Sequence, residues 1–384
     1  MRAVLRLVPL VVLAACGGHD FVSRPANAPR GVVVRNVRVF DAPAARLMDG
    51  RYDVVVRDGR IAAVAAPGAP ADGLPEVDGA GATLLPGLVD VHTHTGAGSA
   101  PPWLSELPNE GENLKAFLYA GVTTILDAGN FTPAVFRTRA KLAAGQALGP
   151  RLYAAGPMFT APGGHPVAIL SATLPFFLRG YVVSRFTREV GTPDEARSAV
   201  AALLPERPDV VKVAIDRLPA GAPRIANDVL AALVARAHEG GVRVVAHIGS
   251  SEDARDAVAA GVDALLHDVY LEEITDEAVA AIRARGIPVA PTLGVFDAMG
   301  GSGTRTADQL SPLERDIGRP AVFAAMAKGP DASTADGARV LALVKSAAAA
   351  HAARLRNVAK LRAAGITILV VFGGSTAGFR ERDA

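Results

Sequence analysis

Cysteine is almost missing from this chain. Its 384 residues include one, Cys16, so neither an internal disulfide nor a cysteine-based zinc site can form. An excess of charge of either sign is missing too. Lys and Arg number 40 against 38 Asp and Glu, a formal net charge of +2, and no basic stripe is interleaved with aromatics. That argues against a nucleic-acid partner. No Gly-x-Gly-x-x-Gly turn opens a strand and helix series, which disfavours a doubly wound dinucleotide-binding sheet. Apart from an Ala-rich helix near 338–364 there are no low-complexity tracts. Half the residues are hydrophobic, enough for the core of one large domain or two ordinary ones.

The single cysteine is informative because of where it stands. The chain opens "MRAVLRLVPLVVLAACGG", with Arg2 and Arg6 ahead of a short apolar stretch, Leu7 to Ala15. That stretch is too short to span a bilayer and reads as an export signal. Its end, Leu13-Ala14-Ala15-Cys16, resembles a bacterial lipoprotein signal. The resemblance implies removal of residues 1–15 and lipid attachment at Cys16, with residues 16–30 as a polar tether. The expected location is then the cell envelope, periplasmic or outer surface, with the membrane contacted through an N-terminal lipid anchor.

From Gly31 the pattern is β-like. "GVVVRNVRVFD" and "YDVVVRDGRIAAVA" are Val-rich runs with a turn at Asp58-Gly59, predicting a small antiparallel sheet over 31–84. The stretch "LLPGLVDVHTHTG" (84–96) then reads as a buried strand ending in two histidines. Strand side chains alternate faces, so His92 and His94 point one way and Thr93 the other. Apolar strands alternate with helices from there on: 123–129, 151–156, 210–215, 242–248, 264–269, 287–293 and 366–373, with helices such as 227–241, 251–261 and 275–286. With the His-x-His strand that makes eight, predicting an α/β fold of the (β/α)₈ TIM-barrel type over 85–384, whose site lies at the C-terminal strand ends. Two insertions, Pro157 to Val190 and Gly294 to about Gly337, follow strands and are expected to shape the substrate pocket.

Five of the eight histidines sit at or just past strand ends: His92, His94, His165, His247 and His267. His19 falls in the tether, and His238 and His351 fall on helices as surface or packing residues. Lys212 lies inside the apolar strand "DVVKVAI", where a charged amine without a partner is expensive. Carboxylation by CO₂ would turn that amine into an anionic oxygen ligand able to bridge two cations.

These residues resemble the amidohydrolase superfamily, in its carboxylated-lysine binuclear metal branch related to imidazolonepropionase-like and prolidase-like hydrolases. The motifs that carry the likeness are "PGLVDVHTH" (86–94), "GVTTILDAG" (121–129), "GPMFTAPGGHP" (156–166), "VVKVAI" (210–215), "AHIGSSEDARDAVAAGVDALLHDV" (246–269) and "IPVAPTL" (287–293). The resemblance implies a barrel with a small β-sandwich subdomain at 31–84. It implies two divalent ions held by His92, His94, carboxylated Lys212, His247 and His267, with His165 near the substrate. Nitrogen and oxygen ligands with open positions suit Zn²⁺, with Mn²⁺, Co²⁺ or Fe²⁺ as alternatives. The expected reaction is hydrolysis of an amide-type C–N bond, in a dipeptide or a cyclic amide, by a metal-bridging hydroxide. The partner is then a small-molecule substrate. Whether the chain forms a homo-oligomer stays open.

One position departs from the family. Its strand-8 aspartate, a ligand and proton shuttle, would align with Thr376 in "VVFGGSTAGFRERDA", and the chain stops eight residues later. Asp268 is expected to face away from the site, and Asp127 is a conceivable substitute. The expectation is therefore of a C-terminally truncated member, explained by a reading-frame shift near codon 376. A second reading is an inactive, lipid-anchored amidohydrolase-like protein.

Overall fold

The computed structural model describes residues 21–98, 109–174, 176–294, 312–329, 331, 333 and 351–369. The expected signal peptide at 1–15, Cys16, His19, Thr376, residues 370–373 of the last expected strand and most of the second insertion lie outside the described residues. The chain divides into two compact units. Ser23–Leu88 forms one, and Val89 onward forms the other, together with Phe21 and Val22. The expected tether is thus not wholly unengaged. Phe21, an apolar residue in a polar segment, packs against the core of the larger unit, with the Lys141 ammonium 4.6 Å from its ring.

The smaller unit is a six-stranded sheet: β1 (Gly31–Asp41), β2 (Arg46–Leu47), β3 (Tyr52–Arg57), β4 (Arg60–Ala65), β5 (Glu76–Asp78) and β6 (Thr83–Leu84). Asp58 and Gly59 both adopt positive φ, 49° and 73°, which closes the tight β3–β4 hairpin. The sheet is mixed, not purely antiparallel as expected. β1 is long enough to take two partners along its length, and β5 and β6 return parallel to it while β2 and β3 run antiparallel. Val33, Val55 and Ala69 form its small core. Asp53 ties the sheet to the following loop. It accepts hydrogen bonds from Arg35, from Asn36 N and from the amides of Gly68 and Ala69.

The larger unit is an α/β structure built on parallel strands. β7 (Leu88–Thr93), β8 (Val122–Asp127) and β9 (Arg151–Ala154) form one sheet. β10 (Met158–Thr160), β11 (Thr187–Glu189), β12 (Val210–Ala214), β13 (Arg243–His247), β14 (Ala264–Leu266) and β15 (Val289–Ala290) form another, in the order β11-β10-β12-β13-β14-β15. The two are stitched together where Asp209 N donates to Ala154 O at 2.9 Å. At the far side Ile368 bridges Val289 in parallel, so the described part of the last expected strand lies beside β15. The helices between strands include α1 (Glu110–Tyr119), α2 (Ala134–Ala143), α3 (Val167–Thr173), α4 (Phe176–Phe186), α5 (Pro193–Leu203), α6 (Asn227–Glu239), α7 (Ser251–Ala260) and α8 (Asp276–Arg285). Residues 351–363 are helical too.

Local chemistry explains these boundaries. Thr192 and Ser250 form capping boxes with Glu195 and Asp253, fixing the starts of α5 and α7. Gly261 (φ 89°) and Gly286 (φ 68°) end α7 and α8 in the left-handed conformation that glycine adopts cheaply. The strands carry two apolar faces, as buried parallel strands do. Val211, Val213, Ile215, Val244, Ala246 and Leu265 join the helix-packed core with Leu230, Leu233, Ala257 and Ile282. Val245, Ala264, Leu266 and Ala290 form a separate inner cluster with Val91, Val210 and Leu369. Each fully buried aliphatic side chain contributes about 1.5–3 kcal/mol by leaving water.

Two expectations about strands change. The run "LLPGLVDV" is not one buried strand. Leu84 pairs with β1, Pro86 cannot donate to a ladder, and Leu85 and Val89 are 55% and 50% exposed. The first insertion is not all loop either. After the turn at Gly156 (φ 82°) the chain re-enters the sheet as β10, and it returns through α3 and α4 to β11.

Burial alone would raise the Asp53 carboxyl, but its hydrogen bonds from Asn36, Arg35, Gly68 and Ala69 outweigh this and bring it to about 2. Because its folded value is depressed, its stabilisation is present above the unfolded value of 3.8 and is lost as pH falls towards 2. Asp53→Asn is therefore expected to lower the melting temperature at pH 6, with the difference from wild type shrinking to nothing near pH 2. A gap that persists undiminished at pH 2 would exclude this account.

Candidate metal centre

The histidines and the buried lysine gather at the C-terminal strand ends. Ring centroids lie 5.4 Å apart for His92 and His94, 4.6 Å for His92 and His267, 4.0 Å for His247 and His267, and 4.5 Å for His165 and His247. Lys212 is 0% exposed, and its residue pairs with Val245 on β13, two positions before His247. Thr93 points away and donates to Leu126 O at 3.1 Å. The alternation read from His-x-His therefore holds.

Several of these groups have nothing to bond. His92 Nδ1, Lys212 Nζ and His247 Nε2 are buried without a hydrogen-bond partner among the described residues. Leaving such groups unbonded costs about 1–3 kcal/mol each. Burial, followed by the neighbouring Lys212 and histidines, holds His92 well below its usual 6.5. His247 and His267 are held down by burial first and by the same crowd of potential cations. His94 is lowered to about 4 by burial, against the opposing bond from Nδ1 to Gly129 O at 2.8 Å. Lys212 is brought to about 7 by burial, with Asp216 pulling weakly the other way. Unprotonated imidazoles and an amine that is neutral in part near pH 7 are the states in which nitrogen can donate to a metal.

Some ring nitrogens are fixed by the backbone and by hydroxyls. The His94 Nδ1 bond to Gly129 O leaves Nε2 as its donor atom. His267 Nδ1 is hydrogen-bonded to Thr292 Oγ1. His267 and Thr292 both have left-handed backbones, φ 71° and 50°, which non-glycine residues rarely adopt. The turn at His267 breaks strand alternation and lets its ring join His92 and His247. Asp268 faces away, as expected, and pairs with the fully buried Arg354 at 3.4 Å. Arg354 also donates to Thr292 O and Leu293 O.

Two residues of the site, Asp216 and Tyr270, were not read from the sequence. Asp216 is 1% exposed and lies against His165, with Nδ1 2.8 and 2.9 Å from its two oxygens. It accepts from Tyr270 Oη at 2.8 Å and stands 3.6 Å from His247 Nε2. Tyr270 is itself buried, and burial with the Asp216 charge raises its phenol strongly. Strand parity was an available signal, since residues 212, 214 and 216 share one face. His165 was expected near substrate and is found packed into this cluster. Among the described residues, His165, Asp216 and His247 bring ligand atoms within 4.8 Å of one another.

Asp127, the conceivable substitute, is held in a network of its own. Its oxygens accept from Thr95 N, Thr95 Oγ1, Asn130 Nδ2 and Gly129 N at 2.7–3.1 Å. Burial lifts its carboxyl to about 6 against those bonds. Thr95 Oγ1 also meets Glu110 Oε1 at 2.8 Å, while Thr138 Oγ1 donates to Glu110 Oε2. The network braces the β7 and β8 ends behind His94 through Gly129.

A family model described as the amidohydrolase family matches residues 83–325. The chain belongs to that family. An uncharacterised protein of Mycobacterium tuberculosis and one of Mycobacterium bovis are each 29% identical to it over 253 residues, covering 63% of this chain and 60% of theirs. The chain thus spans about 60% of the length of these curated relatives. Among solved structures, a prolidase complexed with N-methylphosphonate-L-proline aligns with a TM-score of 0.68 at 20% identity, over 90% of this chain and 78% of that one. A Xaa-Pro dipeptidase with bound methionine in its active site gives 0.66 at 18%, over 91% and 80%. A molinate hydrolase gives 0.65 at 17%, over 90% and 73%. At these identities the structural likeness speaks for the fold.

Thr95→Val removes the hydroxyl shared by Asp127, Glu110 and Asn130. It is expected to destabilise the protein by roughly 1–3 kcal/mol, because buried polar atoms lose their partner. Denaturant unfolding measures this, and an unchanged midpoint would show the network to be dispensable.

Proposed function

We propose that the protein is a metal-dependent hydrolase of an amide-type C–N bond, in a dipeptide or a cyclic amide. The observation that carries this reading is the set of buried, unbonded nitrogens on His92, Lys212 and His247, gathered with His94 and His267 at the strand ends. Such a set is costly in a protein without metal and suits divalent ions, Zn²⁺ first. His92 and His94 would hold one ion, and His247 and His267 the other. Lys212 would bridge them after its neutral amine takes up CO₂ and loses a proton, becoming a carbamate. When bound, the ions would lower the pKa of a water and polarise the substrate carbonyl.

The chain's own residues do the rest. Gly129 O and Thr292 Oγ1 orient His94 and His267 by holding one ring nitrogen of each. Phe186, 6.3 Å from the His94 ring, and Phe131 beside it offer an apolar wall next to the site, suited to a hydrophobic part of the substrate. With this function go two wider readings. The parallel strands from β7 to Ile368 would close as a (β/α)₈ barrel with the N-terminal sheet as part of a β-sandwich. The Leu13–Cys16 signal would place the enzyme on the cell envelope by a lipid anchor. Thr376, in the place of the family's aspartate, is the feature that favours the second reading, a chain that folds but does not turn over.

Elemental analysis of the purified mature chain is expected to find about two divalent ions per chain, with hydrolysis in a panel of Xaa-Pro dipeptides and cyclic amides. Metal without hydrolysis would support the inactive reading, and neither metal nor hydrolysis would refute the proposal. Lys212→Ala is expected to lose metal and activity and to regain both with added short carboxylates such as formate or propionate. Full metal content in that variant without additives would rule out the bridging role.

A further inference from the structure

Asp216 is the carboxylate that meets the histidine cluster directly. We propose that His165, Asp216 and His247 together form a cation site in this chain, with Asp216 as its anionic ligand; the inference rests on the metal-dependent reading above and departs from the ligand set that the sequence predicts. The ion that His247 and His267 would hold would then take Asp216 and His165 as further ligands.

The geometry supports a shared ion. Asp216 Oδ2 and His247 Nε2 are 3.6 Å apart. That is long for a hydrogen bond, but two ligands about 2.1 Å from one tetrahedral ion stand roughly 3.4 Å apart. His247 Nε2 is buried and has no hydrogen-bond partner. His165 contacts the same carboxylate at 2.8 and 2.9 Å. Charge favours a cation here, because the buried carboxylate offsets one of its two positive charges, which imidazole ligands leave uncompensated.

The surroundings hold the carboxylate in place. Tyr270 Oη donates to Oδ2 at 2.8 Å, a second contact beside that of His165. Its ring fits because position 249 is glycine. A Cβ there would stand 3.0 Å from Tyr270 Cζ and Oη. Tyr270 N and Leu271 N both donate to Gly249 O, fixing the ring over the end of β13. Tyr270 is thus a positioning residue for Asp216.

The test is Co²⁺ titration of the chelator-stripped full chain, read by visible absorption and by elemental analysis after desalting. Wild type, Asp216→Asn, His165→Gln and Tyr270→Phe are compared, with melting of each metal-free protein as the control for folding. Wild type is expected to take two equivalents, Asp216→Asn and His165→Gln about one, and Tyr270→Phe two with at least tenfold weaker binding of one. Should Asp216→Asn fail to fold, His165→Gln, which leaves the buried carboxylate in place, still decides. Two equivalents with unchanged affinity in both Asp216→Asn and His165→Gln would overturn this inference and leave the proposed function standing. A wild-type chain that takes up no Co²⁺ would overturn both.

Discussion

The larger unit is organised around one expense: several nitrogen bases are buried at the ends of apolar strands without enough hydrogen bonds to go round. Lys212 is the extreme case, with a four-carbon stem carrying an amine to a place where water does not reach. A β-sheet interior normally answers such a demand with a leucine. Here the neighbouring positions Val245, Ala264 and Ala290 are small or apolar and offer no polar side chain to pair with. Proximity among like bases then depresses all their proton affinities together. What the fold conserves by this arrangement is lone pairs.

The groups around these bases explain why they do not rearrange to satisfy themselves. Gly129 O, Thr292 Oγ1, Asp216 and the Arg354 guanidinium each occupy one atom and so restrict another. The Thr95, Asp127, Asn130 and Glu110 network does the same for the β7 and β8 ends. None of these groups is expensive to pair, because each finds a backbone amide, a hydroxyl or an opposite charge. The polar cost is thereby concentrated on the few atoms that face inward.

Much of the fold was legible because its periodicities are simple. The alternation in "HTH" correctly placed side chains, and the helices expected to run up to Gly261 and Gly286 end there. The rest depended on facts that pattern does not carry. β10 and β11 are only three residues long, and their burial comes from neighbours distant in sequence. The parallel partners of β1 follow from how the loop returns, which no local residue encodes. His267 reaches the site through a left-handed turn, so strand parity alone would have sent it outward. Asp216 obeys parity but stands past the end of the apolar run, where the local pattern does not mark it. The family resemblance named the histidines and lysine that the structure gathers, while the roles of His165 and Asp216 came from contacts alone.

The Arg354 guanidinium ties this site to a segment remote in sequence. It reaches from the 351–363 helix to Asp268, Thr292 O and Leu293 O, the residues flanking His267 and its hydroxyl partner. Asp268 is wholly buried, and the helix brings it an opposite charge. The backbone around His267 therefore leans on a helix more than 80 residues further along the chain, and loss of that helix would be felt at Asp268 and Thr292.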